Sequence, residues 1–282
     1  MTILVTGATG NVGRNVVELL LAAGVSVRAT SRRPETAGLP DGVDVREADL
    51  TRPETLPAAL SGVDKVYLFP EPDAVDGFVD AARSAGVRHV VLLSSLSATA
   101  PDPDDNPIGR RHIVVERALE SSGLDWTFVR PGAFAVNTLQ WAESIRAEGV
   151  VRAPYPEANV APVHEKDIAA VAVRALLEDG HEKAAYAITG PESITQRRQV
   201  ELIAAAIGRP VRFEELDPAQ VREQLAAWLS PQVADVLLGY LAEYNGKPAE
   251  VYDTVEKVTG RPGRTFAQWA VDHATDFSGM AG

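Results

Sequence analysis

Three glycines, Gly7, Gly10 and Gly13, lie within the stretch TILVTGATGNVGRNVVELLLAAG that runs from Thr2 to Gly24. They follow a short apolar run and precede a helical pattern, the setting in which a glycine loop receives a pyrophosphate. There, Gly7 permits the tight turn, Gly10 lets backbone N–H groups approach the phosphates, and Gly13 allows the helix to pack close to the strand. The phosphates then face the positive end of a helix beginning near Asn11, so Thr9, Asn11 and Val12 join the glycines as candidate contacts. A site for NAD places Asp or Glu at the end of the next strand, on the ribose 2′-hydroxyl. Here that segment reads ATSRRPE, with Ser31 in the acid's place and Arg32 and Arg33 after it. A carboxylate would repel a 2′-phosphate, whereas an arginine binds one through two hydrogen bonds. The expected cofactor is NADP(H).

These residues need elements to hold them. Short β-branched runs at Ile3–Thr6, Val25–Thr30, Val43–Arg46, Lys65–Phe69, His89–Leu93 and Trp126–Val129 alternate with helical patterns at Asn11–Ala23, Pro53–Leu60, Asp73–Ala85 and Gly109–Ser122. Such alternation implies parallel strands joined by right-handed crossovers, an α/β doubly wound parallel sheet of the Rossmann type. A strand end and helix over Ala161–Leu177 and a strand at Tyr186–Gly190 complete it. Beyond that the chain turns helical: Ile194–Ile207, two stretches within Pro218–Tyr244 broken at Pro231, and Thr265–Asp276, with one short strand at Val211–Leu216. The expected division is a nucleotide-binding core of residues 1–133, completed by 161–190, and a smaller, mostly helical substrate lobe of 134–160 and 191–282. The Pro/Asp-rich segment Ala98–Arg111 reads as a mobile loop bordering the cleft.

Composition narrows the function classes. The chain has 282 residues, 45% hydrophobic, and a net charge of −12 that disfavours nucleic acid, since phosphate contacts need clustered Lys and Arg. No apolar run approaches the roughly 20 residues that span a bilayer, and Ile3–Val5 is too short for a signal peptide, so a cytoplasmic protein without membrane contact is expected. There is no cysteine, and His89, His112, His164, His181 and His273 form no i, i+4 pair, so no metal site is expected.

The motifs TGATGNVG, SRRP, LLSSLSA, HIVVERALESSGLDWTFVRPGAF, VHEKDIAAVA, AITGPESIT and TFAQWAVDH together resemble the NmrA-like atypical short-chain dehydrogenase/reductases over Thr2 to about Phe277. The resemblance implies that Asp49 and Leu50 flank the adenine, and that Leu68, Phe69 and Pro70 run along the ribose. It places Ser94 beside the nicotinamide and makes Ser95 or Ser97 the active-site serine. Ligands of open α/β sheets lie beyond the carboxyl ends of the strands, so Pro131, Gly132 and Ala133 should face the nicotinamide. Phe134, Asn137, Trp141 and His164 are then candidate substrate contacts.

The chain departs from the classical enzymes of this kind in one respect. Their Tyr-x-x-x-Lys pair is replaced at the corresponding spacing by His112 and Glu116, and no tyrosine occurs between Tyr67 and Tyr155. Without that proton donor, hydride transfer suits quinones, imines, enones and other conjugated acceptors better than simple ketones, whose developing alkoxide needs stabilising. His112 remains a candidate acid. The resemblance therefore implies an NADPH-dependent reductase of a conjugated small molecule. Family members that bind dinucleotide as redox sensors, and biosynthetic enzymes of cyclisation or isomerisation, stand as alternatives. Monomer and homodimer are both open.

Overall fold

The computed structural model describes residues 1–279. The chain divides into two compact units: Met1–Pro131 with Glu165–Ile188 and Thr254–Gly260, and Gly132–His164 with Thr189–Asp253 and the chain from Arg261 onward. The strands are β1 (Thr2–Val5), β2 (Ser26–Ser31), β3 (Asp44–Glu47), β4 (Lys65–Leu68), β5 (His89–Leu93), β6 (Asp125–Pro131), β7 (Val150–Ala153), β8 (Asn159–Val160), β9 (Ala184–Ile188), β10 (Ile194–Thr195) and β11 (Arg212–Glu215). The first six helices are α1 (Asn11–Ala22), α2 (Leu56–Leu60), α3 (Val75–Ala85), α4 (Pro107–Ser121), α5 (Ala142–Glu148) and α6 (Glu165–Leu177). Then come α7 (Gln196–Ile207), α8 (Pro218–Ala226), α9 (Pro231–Glu243), α10 (Thr254–Thr259), α11 (Phe266–Asp272) and α12 (Ala274–Ser278).

In the first unit a seven-stranded sheet runs in the order β3-β2-β1-β4-β5-β6-β9. Every neighbouring pair is parallel. This is the doubly wound α/β sheet read from the sequence. The chain first winds outward from β1 to β3, then returns to the other side of β1 as β4, so the crevice of the sheet opens between β1 and β4. Thr6 staples that point: its hydroxyl donates to Tyr67 O at 3.2 Å and accepts from Phe69 N–H at 2.7 Å.

The local sequence explains the elements. Along α1, Val12, Val16, Val17 and Leu20 are buried at helical spacing. β5, HVVLL, is buried at every position, as a central parallel strand must be. α3 closes at Gly86, whose φ of 79° is left-handed, and Val87 N–H returns to Ala82 O. Leu56, Phe78, Val115, Leu119 and Phe128 pack one face of the sheet against α2, α3 and α4. Each such side chain contributes roughly 1.5–3 kcal/mol through burial. α10 packs on α6, so Thr254–Gly260 belongs to this unit.

The second unit has its own core of Trp141, Ile145, Val200, Ile203, Phe266 and Trp269. β11 pairs in parallel with β7, and β10 pairs antiparallel with β8. Ile194–Thr195 is thus a strand end, after which Thr195 caps α7 through Arg198 N–H. α8 and α9 form a helical hairpin tied by Arg222 and Asp235. The expected last helix is divided at His273 into α11 and α12.

Candidate functional site

The glycine loop is a backbone device. Gly7 has φ of 59°, and a Cβ there would lie 3.0 Å from Cβ of Phe69. A Cβ on Gly13 would sit 2.2 Å from Gly7 O, so helix and turn touch without room for a methyl group. Gly10 is less constrained by the protein, its nearest atom to such a Cβ being Gly7 O at 3.3 Å. Gly10 is the N-cap residue of α1, and no side chain closes this helix. By contrast α4, α7, α8, α9 and α11 are closed by Asn106, Thr195, Asp217, Ser230 and Thr265. α1 therefore presents its first-turn N–H groups to an outside acceptor, and its first turn carries no acidic residue. Thr9, Gly10 and Asn11 are exposed at that end, whereas Val12 turns into the core. This geometry fits a pyrophosphate.

At the end of β2 the hydroxyl of Ser31 accepts Arg33 N–H at 3.1 Å. The serine thus shapes the turn that displays Arg32 and Arg33, both exposed and without an ion pair among the described residues. Asp49 follows β3; the hydroxyl and N–H of Thr51 hold its carboxyl below the usual range, with help from Arg32 and Arg52. Leu50, Leu68, Phe69 and Val75 line a shallow apolar depression next to it. Phe69 is 42% exposed, while Leu68 and Pro70 are buried.

The carboxyl ends of β5 and β6 carry a side-chain cluster that was not read from the sequence. Glu116 on α4 is only 1% exposed and meets Arg130 through two hydrogen bonds, Nε to Oε1 at 2.9 Å and Nη2 to Oε2 at 2.6 Å. The buried Ser94 hydroxyl donates to the same carboxylate at 2.5 Å, and Ser94 N–H donates to Val129 O at 2.7 Å. Its carboxylate keeps the Arg130 guanidinium charged, raising its pKa. Ser95 caps the following 3-10 turn by accepting Ser97 N–H at 3.1 Å; Ser97 is half-buried.

His112 lies one turn before Glu116. Burial above all, with the charge of Arg111, pulls its pKa down to about 4 against the opposing pull of Glu116. Its Nδ1 is buried without a hydrogen-bond partner. A histidine so depressed is uncharged at neutral pH, which weighs against an imidazolium acid there. The Pro/Asp segment also differs from expectation. Its last residues are helical, α4 already beginning at Pro107; Asp104 pairs with Arg117 at the surface, and a Cβ on Gly109 would strike Ser97 O at 2.6 Å.

Pro131 is the buried last residue of β6. In the second unit Gly132, Ala133 and Phe134 are half-buried, and Ala133 O accepts Val163 N–H at 2.8 Å. Asn137 is exposed. Trp141 is 7% exposed and packs in the hydrophobic core, and His164 is 1% exposed with Nε2 3.4 Å from Asp272. Both side chains are packed within the unit. Among the described residues no acidic, histidine or cysteine cluster suits a metal ion, and no helix is long and apolar enough to cross a membrane.

A family model described as NAD(P)H-binding matches residues 7–179. The chain is 46% identical to the (4-alkanoyl-5-oxo-2,5-dihydrofuran-3-yl)methyl phosphate reductase of Streptomyces griseus, over 98% of this chain and 99% of that one. It is 39% identical to the NAD(P)H azoreductase of Xenophilus azovorans, again over 98% and 99%. The crystal structure of an NADPH-dependent quinone oxidoreductase from Escherichia coli complexed with NADPH superposes with a TM-score of 0.80, at 27% identity, covering 96% of this chain and 99% of that one.

Proposed function

This chain belongs to the NAD(P)H-binding family, as an oxidoreductase of the NmrA-like kind, and we propose that it reduces a conjugated small molecule with NADPH and without the Tyr-x-x-x-Lys pair, Ser95 and Ser97 being its candidate active-site serines. When bound, the dinucleotide supplies hydride. The first-turn N–H groups of α1 hold its pyrophosphate, with Thr9 and Asn11 beside them, and Arg32 and Arg33 hold the 2′-phosphate. Asp49, Leu50, Leu68, Phe69 and Pro70 form the adenosine side. Ser94 and Pro131 form the nicotinamide side.

One arrangement argues against a charged acid at the tyrosine's place: His112 stands there, its Nδ1 is buried without a partner, and burial lowers its pKa to about 4. A conjugated acceptor tolerates this, because the charge left by hydride addition spreads over the π-system and water can protonate it afterwards. A saturated ketone would leave a localised alkoxide without the tyrosine that usually protonates it. The relatives' names agree with such acceptors: a quinone, an azo compound, and an oxo-dihydrofuran whose ring double bond is conjugated with carbonyl groups. The experiment is NADPH oxidation against quinones, azo dyes, imines and alkanoyl-dihydrofuranones of matched size. Turnover with at least one class supports the proposal. NADPH binding without oxidation by any of them would favour a dinucleotide sensor.

A further inference from the structure

We infer that Glu116 is a positioning residue, which through Arg130 and Ser94 locks the ends of β5 and β6 to α4 and so holds the nicotinamide side of the site. The inference rests on the proposed reductase reading. Glu116 occupies the spacing at which the classical pair carries its lysine, so the helix here contributes a carboxylate, and the cation comes instead from β6 as Arg130. The carboxylate takes three hydrogen bonds from two strands and is 1% exposed. It therefore joins three elements at one point.

An ion pair with its carboxylate buried and its guanidinium half-buried is an unfavourable way to fill space. Two apolar side chains of similar volume are commonly as stable or more so, because neither needs desolvating. What the pair adds is direction, since a guanidinium and a carboxylate meeting edge to edge admit few relative orientations. Arg130 immediately precedes Pro131, and Ser94 N–H is bonded to Val129 O, so the strand ends move together or not at all. His112, four residues before Glu116 on α4, is placed by the same lock. Its unpartnered Nδ1 is a group whose location depends on how α4 is held.

The test replaces both charges at once. Glu116→Met with Arg130→Met keeps the volume and strands no lone charge. Its thermal midpoint should match or exceed that of the parent protein. In the cofactor-free protein, exchange of the Ser94 amide should be about ten-fold faster as the strand ends loosen. NADPH affinity should stay within about three-fold, while kcat falls by roughly 10–100-fold with little change in KM for a quinone. Glu116→Asp keeps the charge but shortens the reach, and should fall between the two. Unaltered kcat together with unaltered Ser94 exchange in the double variant would overturn the inference and leave the pair as packing. Should the parent protein oxidise NADPH with no acceptor, the reductase reading fails by itself, and Ser94 exchange still decides whether the lock exists.

Discussion

The glycine loop and the β5–β6 end are built from different materials. The loop is made of backbone: Gly7, Gly10 and Gly13 matter for the atoms they lack, and α1 offers N–H groups that no side chain caps. The β5–β6 end is made of side chains: Ser94, Glu116 and Arg130 matter for the hydrogen bonds they make. A backbone site tolerates almost no substitution yet asks little of its surroundings. A side-chain site depends on three elements arriving together, and can lose function while keeping its fold. Mutations should separate the two.

The largest effect belongs to the loop. Gly10→Val should cost the fold less than a change at Gly13, its Cβ making a tight 3.3 Å contact with Gly7 O, yet weaken NADPH binding by about 100-fold or more by obstructing the pyrophosphate. Gly13→Ala should act differently. Its Cβ would lie 2.2 Å from Gly7 O, so overpacking costs the protein itself about 1–3 kcal/mol, measurable as a lower urea midpoint. Equal loss of stability in both variants would break the distinction between ligand clearance and helix packing. Next in size, replacing Arg32 and Arg33 together by alanine should weaken NADPH binding by about ten-fold or more, with NADH affected far less. Calorimetric titration with both dinucleotides reads this directly; equal loss for the two would remove the 2′-phosphate from the account.

A smaller effect is expected at His112. His112→Gln should lower turnover by less than about ten-fold, because a general acid lost from its post usually costs 10²–10⁴-fold. A drop of the larger size with NADPH affinity intact would restore His112 as an acid. The smallest effect concerns stability and pH. Burial and Lys65 bring His89 down to about 4, its Nε2 meets Thr127 Oγ1 at 2.9 Å, and its Nδ1 has no partner. Between about pH 6.5 and 4 the unfolded chain binds the proton that the folded chain refuses. The contribution is therefore complete above about pH 6.5 and is lost as pH falls toward 4. His89→Gln should flatten the pH dependence of the urea midpoint in that window, and an unchanged slope would count against it.

The loop was legible because its chemistry is written in one residue type at fixed spacing, directly after a strand. The sheet was legible because parallel strands buried on both faces read as continuous apolar runs, as in HVVLL. The Ser94–Glu116–Arg130 cluster was not. Its members lie 22 and 14 residues apart, and each is ordinary where it stands. Only β5 and β6 lying side by side, with α4 laid across them, bring the three together. Glu116 at the lysine's spacing was the one available signal, and it pointed to a lost function sooner than to a replacement. Trp141 and His164 show a second limit: their types suggest ligand contact, but their burial is set by partners such as Phe266 and Asp272, more than 100 residues on. Ile194–Thr195 likewise reads as helix by periodicity, and becomes strand only because Asn159–Val160 pairs with it.

The central claim is that His112 does not act as an acid during reduction, and kcat measured against pH with a quinone acceptor tests it most directly. Cofactor and acceptor must both be saturating. With His112 held neutral by burial, kcat should be level from about pH 5.5 to 8.5, a window that lies above its lowered pKa. A decline of about ten-fold per pH unit beginning near 6.5, absent in His112→Gln, would show a histidine acid at work and contradict the account.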